Sequence, residues 1–75
     1  LNDFTVFPNP FNEEIIVSGM NDFTKVQLRD SQGRIISTIN HQEELLFKTN
    51  DLAPGYYFIE VYYNGQANSK AIIKQ

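Results

Sequence analysis

The chain has 75 residues, enough for one small domain but too few to leave much apolar surface for lining a deep catalytic pocket. Nine acidic residues against six basic ones give a net charge of −3, which disfavours nucleic acid and anionic membranes as partners. The sequence has no cysteine for disulfides or thiolate metal sites, and no apolar run of the roughly 18 residues that a membrane span needs. We therefore expect a non-enzymatic domain without a cofactor, without nucleic-acid binding and without direct membrane insertion.

The composition predicts strands rather than helices. Val, Ile, Thr, Phe and Tyr number 26, against nine Ala, Leu and Met together, and these β-branched and aromatic side chains pack well on a pleated surface. Turn residues recur about every 8 to 12 positions, and no window has the sustained apolar spacing of a helix. In chain order, the predicted strands cover residues 4–7, 14–18, 23–29, 34–40, 44–48, 56–63 and 70–74.

Three turns between these strands have clear sequence signals. Asp30 is expected to bond the backbone that follows it, and Gly33 to adopt a positive φ without steric cost. Pro54 followed by Gly55 predicts a type II turn, and Asn64 followed by Gly65 predicts a hairpin turn that the polar residues 66–69 extend. Seven short strands, tight turns and no helix predict a small antiparallel, Ig-like β-sandwich that forms a single domain over residues 1–75.

Side chains that could carry catalysis are few and scattered. His41 is the single histidine and lies in a predicted polar loop, so it cannot form a two-histidine metal site. The adjacent carboxylates Glu13–Glu14 and Glu43–Glu44 would point to opposite faces of a strand and could not act together on one bond. Residues 30–33 lack the alternating acidic residues of a calcium loop, and Asn50–Asp51 is too short to form one. We predict no catalytic residue and no metal site.

The remaining candidate surface is aromatic. Residues 56–63 form the strongest apolar run, and we expect this strand to lie in the centre of its sheet. Tyr56, Phe58 and Tyr62 share a face with Glu60, which is the face expected to meet solvent. An exposed aromatic stripe suits stacking on sugar rings, whereas packing in the core is the simpler interpretation. The sequence therefore favours recognition over catalysis.

Four short motifs follow one another in a specific order. They are Phe7-Pro8-Asn9-Pro10-Phe11, a D-x-x-G turn at Asp30 and Gly33, a G-x-Y motif at Gly55 and Tyr57, and a basic, apolar tail over residues 70–74. Together they resemble the type A C-terminal sorting domain of type IX secretion (Por secretion system) substrates. The resemblance covers essentially the whole chain.

The resemblance implies an address domain at the end of a larger secreted precursor in Bacteroidetes-type bacteria. Its N-terminal passenger, such as a gliding-motility adhesin or a secreted enzyme, would enter the periplasm with a separate signal peptide. The outer-membrane type IX translocon and its shuttle protein would then recognise the domain. A sortase-like protease commonly removes it, and the passenger is anchored at the cell surface or released.

The resemblance also divides the residues by role. The corner formed by Phe7, Pro8, Asn9, Pro10 and Phe11 and the Asp30, Gly33, Gly55 and Tyr57 motifs are expected to be mainly structural. The predicted recognition residues for the translocon and the sortase are Lys70, Ile72, Ile73, Lys74 and Gln75. A terminal strand leaves its sheet edge at low cost and offers free backbone groups to another chain. The tail departs from the family because its basic residues are not adjacent.

Two alternative interpretations rest on the fold alone. One is a carbohydrate-binding β-sandwich module of a secreted glycosidase, with tyrosines of one face as its platform. The other is an inert, fibronectin-like spacer whose surface residues affect neither export nor ligand binding. Because the chain begins at Leu1 without an initiator methionine, we expect it to be part of a longer precursor.

Overall fold

The computed structural model describes residues 4–19, 23–40 and 45–75, and this part of the chain is all-β without a helix. The strands are β1 (Thr5–Phe7), β2 (Glu14–Ser18), β3 (Lys25–Asp30), β4 (Ile35–Asn40), β5 (Leu46–Lys48), β6 (Gly55–Tyr63) and β7 (Gln66–Lys74). The predicted fold class and the seven strands are confirmed. The loop around His41, the Glu43–Glu44 pair and the predicted start of the fifth strand at Glu44 lie outside the described residues.

The strands form two antiparallel sheets with a shared core between them. One sheet has the order β1-β2-β5, and the other has the order β4-β3-β6-β7, so β6 is central as predicted. Alternate residues of both sheets point inward, because successive side chains of a strand face opposite sides. The buried side chains are Phe4, Phe11, Ile15, Val17, Phe23, Val26, Leu28, Ile39, Phe47, Tyr57, Ile59, Val61 and Ile72.

The last strand begins at Gln66 and not at Lys70. Asn64 and Gly65 have φ values of 51° and 80°, and positive φ at both central residues is the signature of a type I′ turn. The twist of this turn matches that of the strands it joins, so Tyr63 pairs with Gln66 and the ladder runs without a break to the pair Gly55 and Lys74. The prediction that residues 66–69 extend the connection is wrong, because a two-residue turn allows pairing to resume at once.

The turn after β3 confirms the expectation for its aspartate. Asp30 Oδ1 accepts hydrogen bonds from the backbone N–H groups of Gln32 and Arg34, both at 2.9 Å, and Arg34 Nε donates to Asp30 Oδ2 at 2.8 Å. Partial desolvation raises the pKa of Asp30, but the hydrogen bonds from Arg34 and Gln32 outweigh it and hold that pKa below its ordinary value. Gly33 has a φ of 85°, as predicted.

The turn before β6 differs from the prediction. A type II turn needs a φ of about +80° at the glycine, whereas Gly55 has a φ of 143° and pairs with Lys74 as the first residue of β6. The type II assignment is therefore wrong. Gly55 enters the strand directly, because the long ladder with β7 extends to this residue.

The type I′ turn leads to a test of stability. Gly65→Ala is expected to lower the free energy of unfolding by about 1–2 kcal/mol, because a Cβ is disfavoured at positive φ even though no atom lies within 4 Å of it. Urea denaturation measures the change, with the exposed Ser69→Ala on β7 as a control that should stay within about 0.5 kcal/mol of wild type. Equal midpoints for the two variants would contradict the turn geometry.

Candidate recognition site at the last strand

The four sequence motifs meet at one end of the sandwich. Phe11 forms a parallel bridge with Lys74, which pairs on its other side with Gly55. Tyr57 pairs with Ile72 in β7 and with Asp30 in β3. Backbone pairing therefore joins the Pro-Asn-Pro corner, the D-x-x-G turn, the G-x-Y motif and the tail.

Residues 9–12 cover the edge of β7 at the end of the chain. Phe11 N donates to Ile73 O at 2.8 Å, and Gln75 N donates to Phe11 O at 3.0 Å. The Asn9 side chain accepts a hydrogen bond from Ile73 N at 3.1 Å, and Asn12 Nδ2 donates to Gln75 Oε1 at 3.2 Å. We call this contact between residues 9–12 and residues 73–75 the clasp.

The two lysines of the tail point inward, on the same side of β7 as Ile72. Lys74 donates to the carbonyl oxygen of Asn12, and its Nζ lies 5.9 Å from the centroid of the Phe11 ring. Lys70 donates to the carbonyl oxygen of Phe4, and its Nζ lies 4.9 Å from the centroid of the Phe4 ring. Each ammonium group thus combines a charge-assisted hydrogen bond to a backbone carbonyl with a cation–π contact to a phenylalanine ring, and all of these partners lie within residues 4–12.

Tyr57 and Thr49 contact residues 11 and 12 of the clasp from the core of the sandwich. The Tyr57 hydroxyl donates to Ala53 O at 2.6 Å, as in the tyrosine corners of other β-sandwiches, and its ring meets that of Phe11 edge to face at 5.8 Å. Thr49 is fully buried, and its Oγ1 donates to Asn12 O at 3.0 Å while its N–H donates to Glu13 O at 2.9 Å. The bonds of Thr49 therefore hold the segment that carries the clasp.

The amino-acid sequence of the chain matches the model of a known protein family. The family described as secretion system C-terminal sorting domain matches residues 5–75. The chain belongs to this family. Its resemblance to type IX sorting domains is thereby confirmed, and no curated protein shows significant similarity to the chain. Membership implies a C-terminal sorting signal, an N-terminal passenger, the type IX machinery as partner, and export to the cell surface or secretion.

The predicted recognition residues of the sorting domain differ in burial. Ile72 and Lys74 are buried, with exposed fractions of 1% and 8%, whereas Ile73 is 40% exposed. Lys70 and Gln75 are exposed. Of the structural motif residues, Phe11 and Tyr57 are buried, whereas Phe7, Pro8, Asn9, Pro10, Gly33 and Gly55 are exposed and Asp30 is half-buried.

Sequence reasoning did not identify Asn12 and Thr49. Both are small polar residues near predicted strand ends, a context that is typical of solvated turns. Their role depends on Asn12 O, which accepts from both Thr49 and Lys74 although these residues are far apart in the sequence. No local pattern marks such an acceptor.

The outer face of β6 in the sorting domain meets solvent, as predicted. Tyr56 is 61% exposed, whereas Tyr57 on the inner face is 7% exposed. Glu60 Oε1 accepts hydrogen bonds from the Tyr62 hydroxyl at 2.6 Å and from Arg29 Nε at 3.0 Å. Lys25 Nζ lies 4.6 Å from the centroid of the Tyr62 ring. Because the lysine covers one face of this ring, Tyr62 offers less surface for stacking than its position in the sequence suggests.

The environment of Glu60 shifts its protonation. The hydrogen bond from Tyr62 is the largest influence and lowers the pKa of Glu60, desolvation opposes it, and the hydrogen bond and charge of Arg29 lower it further. The net pKa lies below the ordinary value for a glutamate. Ionised Glu60 is therefore favoured in the folded sorting domain.

Neither a metal centre nor a membrane span is visible in the part of the chain that the structure describes. Residues 4–19, 23–40 and 45–75 contain no group of three or more metal-ligating side chains. The same residues contain no helix long and apolar enough to cross a membrane.

Burial predicts opposite outcomes for the two neighbouring isoleucines of the tail. Ile72→Ala is expected to lower the free energy of unfolding by about 2–5 kcal/mol, because it leaves a cavity in the core of the sorting domain. Ile73→Ala should cost less than about 1 kcal/mol, because its side chain is partly exposed on a strand. Urea denaturation distinguishes the two, and equal losses would contradict the inward direction of Ile72.

The Glu60 network predicts the acid stability of the sorting domain. A lowered folded-state pKa gives stability that is present above the unfolded pKa of about 4.3 and is lost as pH falls through the folded pKa. Glu60→Gln should therefore lose less in melting temperature between pH 6 and pH 3 than wild type. Tyr62→Phe should show the same trend more weakly, because the Arg29 contact remains. An acid loss in Glu60→Gln as large as in wild type would contradict this assignment.

Proposed function

We propose that this domain is the last part of a secreted precursor and that the type IX translocon reads its tail, by adding a strand to β7 or by taking the chain end into a cavity. Membership of the sorting-domain family supports this proposal, and the position of the tail on an edge strand is the observation that carries it. Backbone groups of an edge strand are accessible to another chain where no other segment covers them, whereas those of the central β6 are paired with strands on both sides.

The finer roles follow from burial in the folded domain. Ile73 and Gln75 are exposed, so the shuttle protein of the translocon would meet them first. Ile72 and Lys74 are buried, and Lys70 is exposed but bonds the carbonyl oxygen of Phe4. These three residues would therefore serve as contacts for the translocon or the sortase-like protease after the tail leaves its sheet. The protease would remove the domain outside the cell, after passage through the periplasm and the outer membrane, and the passenger would be anchored or released. The catalysis belongs to that partner and not to this chain.

The alternative functions gain no support of their own. A carbohydrate-binding module would need several free aromatic faces side by side, whereas Lys25 covers one face of Tyr62 and Glu60 accepts the hydrogen bond of its hydroxyl. Tyr56 is then the one aromatic side chain of β6 that is largely exposed. An inert spacer would leave the family match unexplained.

Deletion of the tail tests the proposal in cells. A passenger fused to a fluorescent protein and this domain is expected to be exported by a bacterium that has type IX secretion, and removal of residues 70–75 should retain it in the periplasm. Because this deletion also removes Ile72 from the core, Ile73→Ala serves as the folded variant, and it should reduce export without loss of the melting transition. Normal secretion of the deleted fusion would overturn the proposal.

A further inference from the structure

The outer edge of β7 has a covered end and an open middle. Ile73 points its backbone N–H and C=O away from β6 and into the clasp. Backbone groups alternate along a strand, so Ala67, Ser69 and Ala71 point theirs to the same side. In the part of the chain that the structure describes, none of these three residues has a backbone partner outside the ladder with β6, and all three are exposed.

The open middle of β7 is suited to pairing with an added strand. Its ladder with β6 is regular over nine residues, and the outer-face side chains there are the small ones of Ala67, Ser69 and Ala71. The opposite edge strand of this sheet, β4, has a register shift between Leu28 and Arg29 on its neighbour β3. Bulges of this kind disrupt an edge and protect it from pairing, so β7 is the more receptive edge of the four-stranded sheet.

We propose that an extended segment of the translocon pairs first with Ala67, Ser69 and Ala71, and then continues along β7 and displaces residues 9–12 from the clasp. The identity of the partner rests on the proposed function, whereas the open edge and the clasp are properties of this chain. The exchange conserves the backbone hydrogen bonds of Ile73 and Gln75, because the incoming backbone offers them the same groups that Phe11 and Asn9 now provide. The hydrogen bonds of Thr49 and Lys74 to Asn12 O are lost when residues 9–12 leave.

The displaced segment specifies the chemistry of the partner. Phe11 has no exposed surface, and its ring packs against Tyr57. A strand that takes its place conserves the core only if it places an apolar side chain, preferably aromatic, at the Phe11 position. The partner segment is therefore extended and carries a large apolar residue directed into the sandwich.

Displacement links the two ends of the domain. Residues 9–12 lie toward the N-terminal side, on which sorting domains have their passenger. A partner that releases these residues from the tail therefore alters the passenger side of the domain as it binds the tail. This coupling is reciprocal, so any load that pulls residues 9–12 away also makes the end of β7 available.

A proline in the open edge tests the first contact. Ser69→Pro removes only an N–H that has no partner outside the ladder, and proline is tolerated where a strand N–H faces solvent, so the melting temperature should stay within about 4 °C of wild type. Export of the fluorescent passenger should fall to the level of the variant without residues 70–75. Ser69→Ala, which keeps the N–H, should export as wild type does.

The outcomes of the proline experiment distinguish the open-edge contact from the proposed function. Export by folded Ser69→Pro at the wild-type level overturns the open-edge contact, while loss of export in the deletion still supports the proposed function. Ala71→Pro, whose N–H faces the same side, is the second variant. Loss of the fold in both proline variants overturns the assignment of a free edge.

Amide exchange tests the coupling in the isolated domain, without any partner. A chain without residues 73–75 imitates a tail that has been taken up. The amide of Thr49 bonds Glu13 and not the tail, so it reports release of the segment beyond the deleted contact. It should exchange at least about tenfold faster than in wild type, while the amide of Ile59 in the core stays protected. Unchanged protection of Thr49, or an equal loss at Ile59, overturns release of the segment as a unit.

Discussion

A sheet edge has to be paired or protected, and this constraint determines the end of the domain where the four motifs lie. β7 is an edge strand of nine residues. Its last residues are paired with the clasp segment, and Lys74 donates a hydrogen bond to the carbonyl oxygen of Asn12 in that segment. The domain thus protects the end of the strand that carries its tail with residues 9–12, while no described residue pairs with the outer edge of the middle of that strand.

The constraint also explains the alternation of proline and asparagine in the first motif. Pro8 and Pro10 have no N–H, so neither can donate to β7. The Asn9 side chain lies between them and supplies the acceptor that Ile73 N–H needs, while Phe11 completes the backbone pairing. The motif is therefore more than a rigid corner: it is an edge cover in which one side chain replaces a backbone group.

The sequence predicted what depends on local pattern. Alternation along a strand separates Tyr57, Ile59 and Val61 from Tyr56 and Glu60, and the structure follows that division. Turn residues mark most strand limits. The connection predicted at Asn64–Gly65 is too long, because nothing in the polar residues that follow indicates pairing with an aromatic strand. The clasp was not predictable in this way, since the hydrogen bond between Asn9 and Ile73 joins residues 64 positions apart.

The contacts of the two tail lysines, Lys70 and Lys74, are not predictable from the sequence pattern. Lys70 and Lys74 alternate with Ile73 and share the side of β7 that carries Ile72, which indicates an inward direction. Burial of a basic side chain is unfavourable unless it finds a hydrogen-bond acceptor. The acceptors are backbone carbonyls of Phe4 and Asn12, which any residue type would provide, so the sequence does not mark them. The sequence pattern therefore predicts that the tail belongs to the last strand, but it does not indicate what the tail contacts.

The clasp stabilises the domain and at the same time makes its tail less accessible to a partner. Every contact that holds residues 73–75 to residues 9–12 stabilises a domain with a thin core, and the same contact withholds backbone groups from a partner. A substitution that tightened the clasp would therefore raise the melting temperature and weaken recognition, as is common where function needs a loosely held element. An edge that is half covered and half open satisfies both requirements, because the open half allows a partner to bind before any native contact is broken.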